Sequence, residues 1–487
     1  MAHSMRQGHA LLRAQPAFGP DRKGKATVTI PSPTIPNPAN PARERPQDYV
    51  LRRVTERRVR LIRLWFTDVA GQLKSFAISP AELEAAFEQG MVFDGSSIEG
   101  FSRVAEADMV ALPDPETFEL MPARNGNGED ISARMFCDIT GADGTPFDGD
   151  PRGVLRRVMD RARAAGYTFY VAPEMEYFLF EPDRVDGRPV PLDAGSYFDL
   201  TTADIASDIR HRTLSALETM GIPVEYSFHE DAPSQHEIDL RYADALTMAD
   251  SVMTFRLLVR EIAFEHGVHA TFMPKPLAGV QGSGMHTHMS LFADGRNAFS
   301  DPSSADGLSD VARGFVAGLL SHAREITAVT NQLVNSYKRL IAGYEAPVAI
   351  SWARSNRAAL IRVPPTRNEG EEATRVEYRA PDPACNPYLA FAVILAAGLK
   401  GIEEGYELPP ETPPSITGYS DHGGPAYGHH LPASLDEALD EMEGSALVAE
   451  TLGQHLFRWF LRNKRREWSS YQTQVTQFEL DNYFAAV

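Results

Sequence analysis

Four short strand-like segments of this chain carry carboxylates and imidazoles inside apolar surroundings. No other sequence feature restricts the fold as much. The segments are PEMEYFLF (Glu174, Glu176), FHEDAPSQHE (Glu230, Glu237), GMHTHMS (His286, His288) and RVEYRAP (Glu377 between Arg375 and Arg379). A strand turns residues i and i+2 to the same face. Glu174 therefore shares a face with Glu176, His286 with His288, and Arg375 with Glu377 and Arg379. Carboxylates that converge without compensation repel one another and hold on to protons. With Mg²⁺ or Mn²⁺ between them they become a site for a polyphosphate. Metal-dependent phosphoryl chemistry is the first expectation.

Composition removes other classes. The formal net charge of −19 argues against nucleic acid, which calls for a basic stripe, and against an anionic membrane surface. It does not argue against ATP, for which a metal site and local arginines decide. Two cysteines, Cys137 and Cys385, form neither a disulfide framework nor a zinc knuckle, and they suit a reducing cytoplasm. No apolar run approaches the roughly 20 residues of a membrane span, and the N-terminus lacks a secretory pattern.

Residues 1–45 are rich in Pro, Ala, Arg and Asn without periodicity and read as a disordered extension. Residues 46–150 read as a small α+β unit. VRLIRLWFTDVAG and QLKSFAIS form two strands around a turn at Ala70-Gly71, a short helix covers Pro80–Gln89, and further strands lie near Asp108–Leu112 and at SARMFCDIT. Asp150-Pro151 opens a helix that begins the larger unit, residues 151–487. Apolar periodicity places long helices at about 203–220, 242–266, 308–330, 386–403 and 444–466. A Pro-, Gly- and His-rich stretch at about 405–432 reads as a surface excursion.

Each motif also has a plainer reading. The closest approach to a phosphate-binding glycine loop, residues 19–26, lacks the Ser or Thr after Lys25 and lies in the extension. His286 and His288 alone suit a zinc hydrolase, but a carboxylate-rich set favours harder cations. Arg375, Glu377 and Arg379 alone read as a salt-bridged ladder. Arg339, Arg357 and Arg362 together suit phosphate or carboxylate oxygens, because guanidinium donates in a bidentate fork. Asp94 in VFDGSSIEGF alone reads as an Asx turn.

Taken in order, FDGSSIEGF, PEMEYFLF, FMPKP…GSGMHTHMS, NSYKRL..GYEAP and RVEYRAPDPACNPYLAFA resemble the bacterial type I glutamine synthetase family, from about Tyr49 to the C-terminus. YVLRRVTER, LWFTDV, ARMFCDIT and FLRNKRREW are similar to its actinobacterial branch, in which the amine acceptor varies between ammonium and polyamines. The resemblance implies an α+β fold with a small β-grasp-like N-terminal domain and a large α/β catalytic domain. It also implies a homododecamer of two stacked hexameric rings with active sites between subunits.

The resemblance further implies residue roles. One metal ion would be held by Glu176, Glu230 and Glu237, and a second by Glu174, His286 and Glu377. His288, Ser290, Arg362 and Arg375 would face ATP phosphates or ribose, with Glu225 and Tyr242 lining the nucleotide pocket. Gly282, Arg339 and Arg379 would bind L-glutamate, Glu345 would sit on a closing flap, and Arg357 would stabilise the transferring phosphoryl group. Asp94 and Ser97 of the neighbouring subunit would join Tyr197 and Glu230 around ammonium. Gln281 departs from the usual Asn, Ala342 from a Pro and Glu372 from a Lys. The usual modifiable-tyrosine motif is absent near Tyr406, Tyr419 and Tyr427, so no tyrosine adenylylation is expected. The expected reaction is ATP-dependent ligation of ammonia to glutamate through γ-glutamyl phosphate. The alternatives are a γ-glutamyl ligase for a polyamine or ethanolamine, a non-catalytic scaffold and a zinc hydrolase.

Overall fold

Strand alternation builds two cores on opposite faces of one small sheet. The computed structural model describes residues 44–98, 108–122, 131–200, 205–365, 373–413 and 429–487. The extension up to residue 43, Glu372, Tyr419 and Tyr427 lie outside them. Helix α1 (Pro46–Glu56) is followed by β1 (Leu61–Thr67), β2 (Leu73–Ile78), α2 (Leu83–Gln89), β3 (Met91–Asp94), β4 (Asp108–Pro113), β5 (Glu119–Leu120) and β6 (Ser132–Gly141). The sheet order is β2-β1-β6-β4-β3, with β5 on β6, and only the β1–β6 pair is parallel. Ile62, Leu64 and Phe66 of β1 pack with Val50, Val54, Met135 and Ile139 in a small core. Trp65 and Phe136 join the large core instead, with rings 5.5 Å apart, edge to face.

The larger part runs through α3 (Pro151–Ala164), β7 (Thr168–Phe180), α4 (Ile205–Thr219), β8 (Val224–His229), β9 (Gln235–Leu240), β10 (Ala243–Asp244), α5 (Ala245–Glu265), β11 (His269–Thr271), β12 (Thr287–Ala293) and β13 (Arg296–Asn297). It continues with α6 (Asp310–Thr330), α7 (Ser336–Arg339), β14 (Trp352–Ala353), β15 (Ile361–Arg362), β16 (Val376–Tyr378), α8 (Pro387–Glu403), α9 (Leu435–Glu443), α10 (Ala446–Leu452), α11 (Gln454–Gln472) and α12 (Gln477–Tyr483). Among the described residues the second sheet follows the order β14-β15-β16-β12-β7-β9-β8, with β10 and β11 on β7 and β13 on β12. Helix α8 is buried almost all round, as expected of a helix apolar on every face. It touches α6 backbone to backbone: a Cβ at Gly318 would stand 2.2 Å from Ala397 O, and one at Gly401 2.1 Å from Gly314 O. No helix among the described residues is long and apolar enough to cross a membrane.

Two expectations change. The helix read at 444–466 is two helices, because Gly453 takes φ +77 between α10 and α11, a left-handed conformation that glycine adopts without strain. The helix read from 242 starts at Ala245, where Asp244 caps it by accepting from Thr247 N at 3.2 Å. Tyr242 is thereby left outside it.

A buried ionic knot joins the first sheet to the helices. Arg152 of α3 reaches Asp114 (2.8 Å) and Asp138 (2.5 Å) of the N-terminal part and Asp250 (3.0 Å) of α5. The Tyr388 hydroxyl of α8 donates to Asp250 at 2.6 Å. Asp150, fully buried, accepts from Arg152 N (3.0 Å) and Ile139 N (3.2 Å). Removing one member of a buried charge group strands the others without compensation. Arg152→Ala should therefore lose about 3–5 kcal/mol of unfolding free energy in urea. A loss below about 1 kcal/mol, the range of exposed pairs, would show that the knot holds nothing together.

Candidate active site

The register of the second sheet brings the charged segments together. Across β9, Glu174 of β7 faces Asp239 and Glu176 faces Glu237. On the other side, Ala172 of β7 pairs with His288 of β12, His288 with Glu377 of β16, and Glu377 with Arg362 of β15. Met175, Tyr177 and Leu179 alternate with these residues into the large core. His286 lies one residue before β12, and its carbonyl accepts from Glu174 N at 2.9 Å. Glycines let the GSGMH segment lie close. A Cβ at Gly284 would stand 2.5 Å from Arg339 Nη2, 2.9 Å from His286 Nε2 and 3.0 Å from Glu176 Oε1.

Glu174, Glu176, Glu237, Asp239, His286, Arg362 and Glu377 line a cavity of about 290 Å³. Glu174 bridges both imidazoles, with Oε2 2.8 Å from His286 Nδ1 and Oε1 2.6 Å from His288 Nε2. His286 lies 3.8 Å from Glu377 and 3.9 Å from Glu176. Arg362 donates to Glu377 at 2.7 Å and Arg379 donates to its other oxygen. Gln235 donates to Glu176 at 2.8 Å and to Gly282 O at 3.2 Å. All six carboxylate and imidazole residues read as metal ligands thus line one cavity, together with Tyr197, Gly282, Arg339, Glu345, Arg357, Arg362 and Arg379.

Electrostatics divides the cavity in two. Burial alone would raise the Glu174 carboxyl, but His288 and His286 outweigh it and hold the group well below its ordinary range. Burial would raise Glu377 too, but Arg379 and then His288 lower it. Burial presses protons off both imidazoles. Arg379 reinforces this at His286, which falls to about 4, whereas Glu174 reverses it at His288. On the other side burial outweighs the compensation, which at Glu176 comes from Arg339 and the Gly284 backbone. Burial and then Glu230 push Glu176 well up, burial and then Glu176 push Glu237 well up, burial raises Glu230, and burial with Glu174 takes Asp239 to about 7. Buried carboxylates aimed at one another with so few basic partners fit hard divalent cations bound by oxygen. Compact donor sets, with atoms within 4.8 Å of one another, occur at Glu174–His288–Glu377 and at Glu174–Glu237–Asp239.

The other assigned residues fall in distinct places. Arg339, 3% exposed, donates to Ala380 O (2.7 Å), Pro381 O (3.3 Å) and Arg379 O (3.1 Å), so it supports the Arg379 segment as well as lining the cavity. Glu345 donates its N–H to Gln281 Oε1 at 3.0 Å. Arg357 donates to the Tyr197 hydroxyl, which together with Glu345 and Glu377 holds its guanidinium above its ordinary range. Ser290 pairs with Tyr170 in the middle of β12, and the Tyr242 ring stands edge to face on Tyr170 at 5.9 Å. Glu225 is exposed on β8, and Arg375 precedes β16. None of these four lines the cavity, nor does His288, which reaches it through Glu174. Asp94 ends the edge strand β3, accepts from Ser96 N at 2.9 Å and does not line it either. Ser97 follows in the turn Gly95–Ser97.

Sequence reasoning missed Asp239, Gln235, Tyr226 and Tyr344. Asp239 was within reach, since it stands two residues beyond Glu237 on the same strand face. Tyr344 signals itself only in space, where Lys275 Nζ lies 3.7 Å above its ring.

Two packed domains and a carboxylate-lined cavity on the second define a ligase of the glutamine synthetase type. The glutamine synthetase β-grasp domain matches residues 58–142 and the glutamine synthetase catalytic domain matches residues 148–483. The glutamine synthetase of Mycolicibacterium smegmatis is 56% identical over 91% of this chain and 100% of its own length. That of Methanosarcina mazei is 50% identical over 90% and 98%. A solved GmaS/ADP complex superposes with a TM-score of 0.80 at 32% identity, covering 90% of this chain and 99% of that one. The chain belongs to the glutamine synthetase family.

Gly284→Ala tests the packing at the cavity floor. The added methyl must displace Arg339, His286 or Glu176, so Mn²⁺ affinity measured by calorimetry should fall on the order of 10-fold, the scale of disturbing groups that orient ligands. Unchanged affinity would mean that these side chains do not set the site.

Proposed function

We infer that this chain joins ammonia to the γ-carboxyl of L-glutamate at the expense of ATP, releasing L-glutamine, ADP and phosphate. One observation carries the reading. Glu174, Glu176, Glu230, Glu237, His286 and Glu377 share a single cavity with Arg339, Arg357, Arg362 and Arg379. The acids would hold two Mg²⁺ or Mn²⁺ ions, with Glu176, Glu230 and Glu237 around one and Glu174, His286 and Glu377 around the other. The bound cations would supply charge neutralisation on the transferring phosphoryl group.

The residues divide the remaining work. Glutamate's γ-carboxylate is a poor acylating agent, so ATP first converts it to γ-glutamyl phosphate. Arg357 and Arg362 face the phosphate oxygens, and Arg379 with the Gly282 backbone holds the amino acid. His288, Ser290, Arg375, Glu225 and Tyr242 follow the sheet away from the cavity and carry the nucleotide. Glu345 closes over the acyl phosphate and excludes the water that would hydrolyse it. The acceptor arrives as a cation, drawn by Glu230 beside Tyr197, and must lose a proton before it attacks. Asp94 is the base for that proton, with Ser97 beside it. Asp94 stands on an edge strand and not in its own chain's cavity, which supports its entry from a second copy in a ring of subunits, a dodecamer of two stacked hexamers. The two buried free cysteines suit a cytoplasmic setting.

A second reading keeps the activation step and enlarges the acceptor. Tyr197, Phe198, Tyr226 and Phe228 line the same cavity beside Glu230 and Asp231, and aromatic faces next to carboxylates attract alkylammonium groups. Phosphate release with ATP and glutamate, compared across ammonium, putrescine, spermine and ethanolamine, decides between the two. Ammonium is expected to give the highest rate, and a polyamine far ahead of it would reverse the choice of acceptor.

Glu377→Ala should lower turnover at least about 100-fold, the upper range for disturbing a metal's surroundings, and full activity would remove the metal assignment. Co-expressing Asp94→Ala with Glu377→Ala should restore activity at about a quarter of sites if each site draws on two subunits. No recovery would place Asp94 outside the shared site.

A further inference from the structure

Behind the carboxylates lies a second group of polar side chains, two buried and one half-buried. Asp193, His229 and His236 each place one polar atom within 4.8 Å of the others. His229 and His236 are cross-strand partners on β8 and β9, and their rings stand edge to face at 4.8 Å. Each directly precedes an acid that lines the cavity, Glu230 and Glu237 respectively. Alternation along β9 turns His236 away from the face that carries Glu237.

The spacing suits a cation, but the hydrogen bonds do not. Arg210 Nη1 lies 2.7 Å from His236 Nδ1. A guanidinium only donates, so Nδ1 accepts and the ring hydrogen sits on Nε2. A metal needs a bare ring nitrogen, and His236 has none left. The group is a clamp made of hydrogen bonds.

What the clamp holds is specific. His229 Nδ1 donates to the carbonyl of Glu230 at 2.6 Å, and its Nε2 lies 3.0 Å from Asp193 Oδ1. The same Asp193 oxygen accepts from Gly195 N (3.0 Å) and Ser234 N (2.8 Å), and Asp193 N donates to Ser234 Oγ (2.9 Å). Ser234, fully buried, is thereby kept at φ +59 in the turn that returns the chain from Glu230 to Gln235. The His229 carbonyl accepts from Phe198 N at 3.0 Å, which fixes the loop carrying Tyr197. Gly195 lies flat on the imidazole, since a Cβ there would stand 2.5 Å from His229 Nε2. One aspartate and one histidine thus tie together two segments far apart in sequence.

We propose that Asp193 and His229 are positioning residues that hold Glu230 and Tyr197 at a fixed separation and so shape the acceptor side of the cavity. This rests on the ligase reading for the roles of Glu230 and Tyr197. Neither Asp193 nor His229 lines the cavity, so both act through the residues they hold.

The test compares Asp193→Ala, His229→Gln and the conservative Asp193→Asn with the parent protein, by Mn²⁺ calorimetry and by initial rates with ATP, glutamate and acceptor varied separately. Asp193→Ala and His229→Gln should weaken one Mn²⁺ site and raise the acceptor KM by about 10-fold each, with the ATP KM within about twofold. Asp193→Asn keeps an oxygen for Gly195 and Ser234 and should recover part of both. Unchanged Mn²⁺ affinity and acceptor KM in Asp193→Ala would overturn the proposal. So would an equal rise in all three KM values with a lowered Tm, the mark of general destabilisation. The Mn²⁺ arm needs no turnover, so it reads the clamp separately from the acceptor panel, whose silence would instead sink the ligase reading.

Discussion

Like charges buried face to face are the constraint around which this molecule is arranged. Glu176 and Glu237 are almost wholly enclosed, at 6% and 4% exposure, and are cross-strand partners on β7 and β9. Burial and mutual repulsion both oppose their ionisation. Such a pair is relieved either by holding a proton or by taking a cation between its members. The basic groups within reach are unevenly shared. Arg362 and Arg379 serve Glu377, and the imidazoles serve Glu174. The side bounded by Glu176, Glu230 and Glu237 is left with the greatest need for cations.

That concentration of charge requires a stiff support, and the surrounding structure supplies one. Helices α6 and α8 meet backbone to backbone at glycines. The Arg152 knot joins both sheets' surroundings to α5 and α8. Asn386 caps α8 by accepting from Tyr388 N at 3.1 Å and also donates to the carbonyl of Asp68 at 3.2 Å, which ties the first hairpin to the central helix. The strand-borne half of the cavity is therefore fixed, whereas Tyr197, Glu230 and Glu345 stand on connecting segments. That side lacks strand support of its own, and it is the side on which the Asp193–His229 clamp acts.

Local periodicity made much of the architecture readable. Apolar spacing marked α4, α5, α6 and α8, and Asp150-Pro151 marked the start of α3, because caps and amphipathic stripes are written within a few neighbouring residues. The break at Gly453 was missed because apolar spacing runs on through it, and a single positive φ is not visible in that spacing. Asp239 was passed over although the alternation that paired Glu174 with Glu176 applies to it equally.

The chain itself determined which residue types meet chemistry: carboxylates and imidazoles embedded in strands, glycines ahead of His286, arginines after them. Those are local facts, fixed by backbone alternation and side-chain chemistry. Only the tertiary structure decided who faces whom. It set Glu176 against Glu237, committed the Arg339 donors to backbone carbonyls, put Asp94 on an edge strand away from its own cavity and placed Asp193 under Glu230. Each depends on the register between strands distant in sequence, and that register is set by the packing of the whole core.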